Sequence, residues 1–151
     1  MSATVLVVDD EETARMVVSD FLRGKGYEVQ SAGTLADARA QINLGTPDII
    51  ILDVRLPDGH GPNLLVETQR LTIRPQVIII TAHGDISMAV DAMRAGAHDF
   101  IEKPLSLEKT LLVVKNALHQ HNLEEQNRQL REQIEQKYVM IGDSVPMQAL
   151  R

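Results

Sequence analysis

A chain of 151 residues with 21 acidic and 15 basic side chains carries a net charge of −6, and 44% of it is hydrophobic. That composition belongs to a folded domain with an ample core and excludes disorder over most of the length. The absence of cysteine excludes disulfides, thiolate metal sites and cysteine nucleophiles, and the acidic balance argues against nucleic-acid binding through bulk charge.

The first apolar run, Thr4–Val8, reads as a strand and meets Asp9, Asp10, Glu11 and Glu12 at its end. Helical spacing follows: Ala14, Val17, Val18 and Phe21 share one face, and Gly24 and Gly26 end the helix. A second strand is predicted over Tyr27–Ser31, then a helix that Gly45-Thr46-Pro47 terminates. The third strand, Asp48–Leu52, leads into Asp53, and Pro62 suits the first turn of the helix after it. The fourth strand, Gln76–Ile80, ends at Thr81. In the helix beyond it, Ile86, Ala89, Val90 and Met93 are expected to face the core, with Met88, Ala92 and Ala95 outward. Gly96 closes that helix, and the last strand, His98–Ile101, runs into Glu102-Lys103-Pro104. Strand and helix alternate five times in roughly 120 residues, which predicts an α/β doubly wound parallel sheet with right-handed crossovers.

From Leu105 to Ile141 there is neither glycine nor proline. Leu107, Leu111, Val114 and Leu118 can dock on the sheet as a fifth helix. The stretch Asn122–Lys137 is too polar to pack on a domain around much of its circumference. Its few apolar residues, Leu123, Leu130 and Ile134, fit heptad positions d, d and a, with Asn127 at the other a. That pattern predicts an extended C-terminal helix and a homodimer seam.

Ligands of an open parallel sheet bind at the carboxyl ends of its strands. Here those ends bring Asp9, Asp10, Asp53, Thr81 and Lys103 to one edge. A lone aspartate after a strand usually caps a helix or makes a turn. Three clustered carboxylates, however, repel one another unless a cation intervenes. Oxygen donors of this kind suit a hard divalent ion, and Mg²⁺ needs only one or two carboxylates plus water and phosphate oxygens. Such a site suits phosphoryl transfer, with Lys103 as a second positive charge and a carboxylate as nucleophile. Asp53 is the best nucleophile candidate because a middle strand carries it, and Asp9 and Asp10 are better placed to hold the ion.

The stretch Val5-Leu-Val-Val-Asp-Asp-Glu-Glu, the run Ile51-Leu-Asp-Val-Arg-Leu-Pro-Asp-Gly-His-Gly61, Thr81-Ala82 and Lys103-Pro104 resemble a two-component response-regulator receiver domain over residues 1–120. The resemblance implies a flavodoxin-like five-stranded sheet in the order 2-1-3-4-5. It also implies that Asp53 is the phosphoacceptor, that Asp10 and Asp53 ligate Mg²⁺ directly, and that Asp9 does so through water. The Arg55 backbone carbonyl would complete the protein's share of the shell. Thr81 would be the switch hydroxyl, Lys103 the phosphate contact and Phe100 the switch aromatic, where the family often has tyrosine. Met is common in the family where Leu56 stands, and the Lys103–Pro104 bond is often cis.

A narrower resemblance lies in residues 81–104, which are similar to receivers of σ54-dependent activators of the nitrogen-regulation and C4-dicarboxylate-transport type. Ile141-Gly-Asp-Ser-Val-Pro-Met-Gln-Ala-Leu150 resembles the opening of their AAA+ ATPase domain. The implied organisation is a receiver over 1–120, a helical coiled-coil linker over 121–138 and the start of a truncated ATPase domain over 139–151. The implied partners are a sensor histidine kinase, a second copy of the chain, the AAA+ domain of the full-length protein and, through it, σ54 RNA polymerase. Neither DNA nor a membrane is expected to bind this fragment directly. No Gly-x-x-x-x-Gly-Lys-Ser/Thr loop occurs, so ATP hydrolysis by the chain itself is not expected.

Three other readings fit less well. A haloacid-dehalogenase-type phosphatase needs a second aspartate two residues after the nucleophile, where Arg55 stands. A flavin binder wants a Ser/Thr/Gly-rich phosphate loop where Asp9-Asp10-Glu11-Glu12 stands, and a pure interaction module requires the acidic set to be vestigial. His60 and His83 lie on loops at the same edge and read as solvated, and His119 and His121, two apart on a predicted helix, cannot face each other. The apolar runs are too short to span a bilayer, and an N-terminal run that meets four acids is unlike a secretory signal, so the chain is expected to be cytoplasmic.

Overall fold

The computed structural model describes residues 3–82 and 84–142. Strands β1 (Thr4–Val8), β2 (Glu28–Ala32), β3 (Ile49–Asp53), β4 (Gln76–Thr81) and β5 (Asp99–Glu102) form one parallel sheet in the order β2-β1-β3-β4-β5. This is the expected flavodoxin-like topology, with β2, β3 and β5 each beginning one residue later than the apolar pattern suggested. Helices α1 (Glu12–Gly24), α2 (Leu35–Leu44), α3 (Gly61–Thr68), α4 (Ile86–Ala95) and α5 (Leu107–Gly142) alternate with the strands. A short antiparallel ribbon, Arg55–Leu56 with Gly59–His60, sits between β3 and α3. It carries no signal in the local sequence pattern.

The two-residue period of the strands divides the core into two layers. Leu6, Val8, Ile50, Leu52, Val77 and Ile79 pack with Leu35 and Ala38 of α2, Leu64 and Leu65 of α3, and Ala92 of α4. Val5, Val7, Ile49, Ile51, Ile78 and Ile80 pack on the other face with Val18 and Leu22 of α1 and with Val113, Val114 and Ala117 of α5. Every residue of β3 and β4 is buried. That explains why both read as continuous apolar runs rather than alternating ones.

Two helix faces differ from expectation. On α4 the buried positions are Ala89 and Ala92, with Met88 packed against them, whereas Ile86, Val90 and Met93 are exposed. Both sets recur at helical spacing, and small alanines let α4 approach the sheet closely where bulkier Ile and Val could not. On α1, Val17 is exposed and Val18 with Leu22 faces the core. Gly96 ends α4 with a left-handed backbone, φ 116°, and its N–H bonds the carbonyls of Ala92 and Met93. A side chain is strained in that conformation, so glycine is the natural stop.

The residues fall into two units, one through His121 and one from Asn122. In the first, His121 is buried and its Nε2 lies 3.1 Å from Asp48 Oδ1. In the second, Leu123, Leu130 and Ile134 are exposed, and Arg128 pairs with both Glu125 and Glu132. Residues 143–151, which hold most of the ATPase-like segment, lie outside the described residues, as does His83. Among the described residues no helix is long and apolar enough to cross a membrane.

Candidate functional site

Strand register builds the site. Val8 pairs with Leu52 and Asp53 with Ile80, so Asp9 and Asp53 emerge side by side at the carboxyl edge. Thr81 pairs with Glu102, which sets Lys103 immediately beyond it, and the Lys103 N–H bonds the Thr81 carbonyl at 2.8 Å. One oxygen each of Asp9, Asp10 and Asp53 lies within 4.8 Å of the others, with Asp9 and Asp53 buried and Asp10 exposed. The sequence-derived set is therefore brought together on one edge. Phe100 lies on β5, partly buried against the α2–α4 layer. The Lys103–Pro104 bond is cis.

Lys103 is the cation of this cluster, with Nζ 2.9 Å from Asp53 Oδ2. Asp53 Oδ1 accepts the Arg55 N–H at 3.1 Å, so both oxygens of the carboxylate are oriented. Burial works to lower the Lys103 ammonium, but its bond to Asp53 and the charges of Asp53, Asp9 and Glu11 outweigh it and hold the group above its ordinary range. Lys103 is thus fully charged at neutral pH. Burial pushes the Asp9 carboxyl up, and the Asp53 charge adds to that, against the Glu11 N–H and Lys103. Two buried carboxylates and one exposed one exceed what a single ammonium neutralises. The excess is oxygen donors and negative charge, the donor set that a small divalent cation completes.

Three features around the cluster have no signal in the local sequence. Arg15 of α1 donates from Nη1 to the Asp9 carbonyl at 2.7 Å, pinning the acidic loop from the side. Asp58, in the loop after Asp53, accepts the Leu35 and Ala36 N–H groups at 2.8 and 3.0 Å. With Thr34, the N-cap of α2, accepting the Asp37 N–H at 3.0 Å, the first turn of the helix is satisfied by its own cap and by one side chain from a distant position. Those two backbone bonds hold the Asp58 carboxyl below its ordinary range. Arg55 reaches across the site to Asp85 with two bonds, Nε to Oδ2 at 3.0 Å and Nη2 to Oδ1 at 3.1 Å. The Thr81 hydroxyl is fully buried and donates to the carbonyls of Ala82 and Asp85, both at 3.2 Å.

Residues 5–115 match the family described as response regulator receiver domain. The chain is 34% identical over its whole length to the nitrogen assimilation regulatory protein NtrX of Azorhizobium caulinodans, of which it covers 34%. It is 36% identical over 97% of its length to the C4-dicarboxylate transport transcriptional regulatory protein DctD of Pseudomonas aeruginosa, of which it covers 33%. The chain therefore spans about a third of the length of these relatives. Its structure superposes on the solution structure of the beryllofluoride-activated NtrC4 receiver domain dimer with a TM-score of 0.73 at 40% identity, over 78% of this chain and 98% of that one.

Proposed function

The chain belongs to the response regulator receiver domain family, and from that premise we propose that Asp53 accepts a phosphoryl group from a phosphohistidine of a sensor histidine kinase. Phosphorylation-dependent switching is the function of that family. The observation that carries the reading is the buried Asp53 carboxylate, held by Lys103 and grouped with Asp9 and Asp10.

Asp9, Asp10, Asp53 and the Arg55 backbone carbonyl are the groups that would hold Mg²⁺, in keeping with their all-oxygen chemistry. Such an ion supplies charge neutralisation to the phosphoryl oxygens. A carboxylate oxygen of Asp53 attacks phosphorus; the new O–P bond forms as the N–P bond to the donor imidazole breaks, and the electron pair leaves with the imidazole. Lys103 offsets charge on the transferred group throughout, and its raised pKa keeps it protonated. Arg15 and Asp58 hold the acidic loop and the loop beyond Asp53 in place. The chain thus assists its own phosphorylation and hydrolyses no ATP.

After transfer, the Thr81 hydroxyl turns from the Ala82 and Asp85 carbonyls to a phosphoryl oxygen, and Phe100 moves inward. Hydrogen bonds to charged groups contribute on the order of 1.5–3 kcal/mol, enough to move a balanced equilibrium tenfold or more. Thr81→Ala is therefore expected to be phosphorylated by acetyl phosphate yet to lack the amide-resonance shifts of α4 and β5 that the wild type shows by NMR. Normal shifts in that variant would remove Thr81 from the switch.

The unit ending at His121 supports a receiver over 1–120, followed by a helical linker over 121–138 and the opening of an AAA+ domain over 139–151. In the longer protein, the receiver controls a σ54-dependent transcription-activating ATPase from the cytoplasm and touches no DNA itself. The exposed Leu123, Leu130 and Ile134 support a parallel homodimer seam with Asn127 at an a position, which favours two strands in register. Two heptads alone are marginal in water, so receiver faces contribute as well. Sedimentation is expected to find a dimer at tens of micromolar and a monomer for Leu123→Glu/Leu130→Glu; a wild-type monomer or an unaffected variant dimer would remove the seam.

A further inference from the structure

Asp85 occupies the N-cap position of α4, yet its carboxylate makes no bond to the amides of that helix. An aspartate there ordinarily accepts an N–H two or three residues on. Instead both oxygens are taken by Arg55, thirty residues away in sequence, through the 3.0 and 3.1 Å bonds. That ion pair joins the loop after Asp53 to the loop after Thr81. The same residue, through its backbone carbonyl, is one of the two acceptors of the Thr81 hydroxyl at 3.2 Å. One residue therefore receives the Arg55 guanidinium on its side chain and the switch hydroxyl on its main chain.

We propose that the Arg55–Asp85 pair is a latch across the site that holds the Thr81 hydroxyl in its resting orientation, making both side chains positioning residues for the switch. The proposal rests on the phosphoacceptor reading above. For Thr81 to turn toward Asp53 it must leave the Asp85 carbonyl, and while the pair is closed that carbonyl is fixed relative to the loop carrying Asp53. Opening the pair frees the loop and releases the Asp85 carboxylate to cap α4, so the cost of opening is partly offset by the cap gained. The Arg55 side chain is 68% exposed and that of Asp85 18%. Pairs this open to solvent shift an equilibrium by only roughly two- to fivefold. That strength suits a latch that a bound phosphoryl group must overcome.

The test is a beryllofluoride titration in Mg²⁺ buffer, read from the amide resonances of Thr81 and Ala82. Asp85→Ser keeps a side chain that can cap α4 but cannot reach Arg55. Arg55→Gln keeps the stem and the backbone carbonyl but loses the charge. A closed latch lowers the apparent affinity of any ligand of the active state by the fraction of molecules already open. Both variants are therefore expected to saturate at roughly two- to fivefold lower beryllofluoride, and the double variant no lower than the singles. The two substitutions change the local charge in opposite senses. A direct electrostatic effect on the anionic ligand would move their midpoints apart, whereas loss of a latch moves both the same way. Midpoints that diverge, or that match a responding wild type, would overturn the latch alone. A wild type with no saturable response would overturn the phosphoacceptor reading and the latch with it.

Discussion

Gly61→Ala is expected to destabilise the chain by about 3 kcal/mol or more, a value at the far end of single-residue effects. A Cβ at this position would lie 2.1 Å from the Asp53 carbonyl oxygen, 3.1 Å from its carbon and 3.2 Å from Leu52 Cγ. Two of those atoms are backbone, so no rotamer change relieves the contact. The Gly61 N–H is also bonded to the Val54 carbonyl at 2.8 Å, which draws the first turn of α3 against the end of β3. Either the strand end or the helix start must move, and the first carries Asp53. For a domain of this size, each kcal/mol lowers Tm by roughly 2–4 °C, so a fall of about 6–12 °C is expected. Gly24→Ala is the control: nothing lies within 4 Å of a Cβ there, and the substitution should stay within about 1 kcal/mol of the wild type. Equal midpoints for Gly61→Ala and Gly24→Ala would contradict the close approach.

The second large effect concerns the charge of the acidic cluster. In EDTA at neutral pH, Asp9→Asn is expected to be more stable than the wild type by about 1–2 kcal/mol. Asp9 is 2% exposed, and burial followed by the charge of Asp53 raises its pKa. The folded state then binds the Asp9 proton more tightly than the unfolded state. That contribution is present at pH below the unfolded pKa and is lost as pH rises through the folded one. At neutral pH the charge is a net cost, which asparagine removes while still accepting the Glu11 N–H. Mg²⁺ should stabilise the wild type by about 2.7 kcal/mol at a hundred times its Kd and the variant by much less. Thermal melts with and without Mg²⁺ read both effects. A variant less stable than the wild type in EDTA, or an equal Mg²⁺ gain in both, would contradict the electrostatic reading.

What the sequence made legible follows the range of the interactions involved. β3 and β4 are continuous apolar runs because both faces of the sheet are covered, and their ends name Asp53 and Thr81 directly. Asp9, Asp10 and Lys103 follow from the same logic, since each lies within two residues of a strand end. The facing of α4 was not legible, because Ile86, Val90 and Met93 are more apolar than Ala89 and Ala92 and hydropathy alone cannot weigh close approach. Asp58 meets Leu35 from 23 residues away, and Arg55 meets Asp85 from 30, pairings that no local pattern encodes. Gly61 could be seen as part of a motif, but its requirement comes from the Asp53 carbonyl beside it. The direction of the Thr81 hydroxyl is set by the Ala82 and Asp85 carbonyls. The residue was legible and its resting state was not.

The most direct test of the central claim is intact-mass spectrometry after treatment with acetyl phosphate and Mg²⁺. The expected result is one added phosphoryl group on the wild type, absent from Asp53→Asn and absent when EDTA replaces Mg²⁺. A phosphoryl group retained by Asp53→Asn, or added to the wild type with no divalent ion present, would contradict the assignment of Asp53 and its carboxylate neighbours.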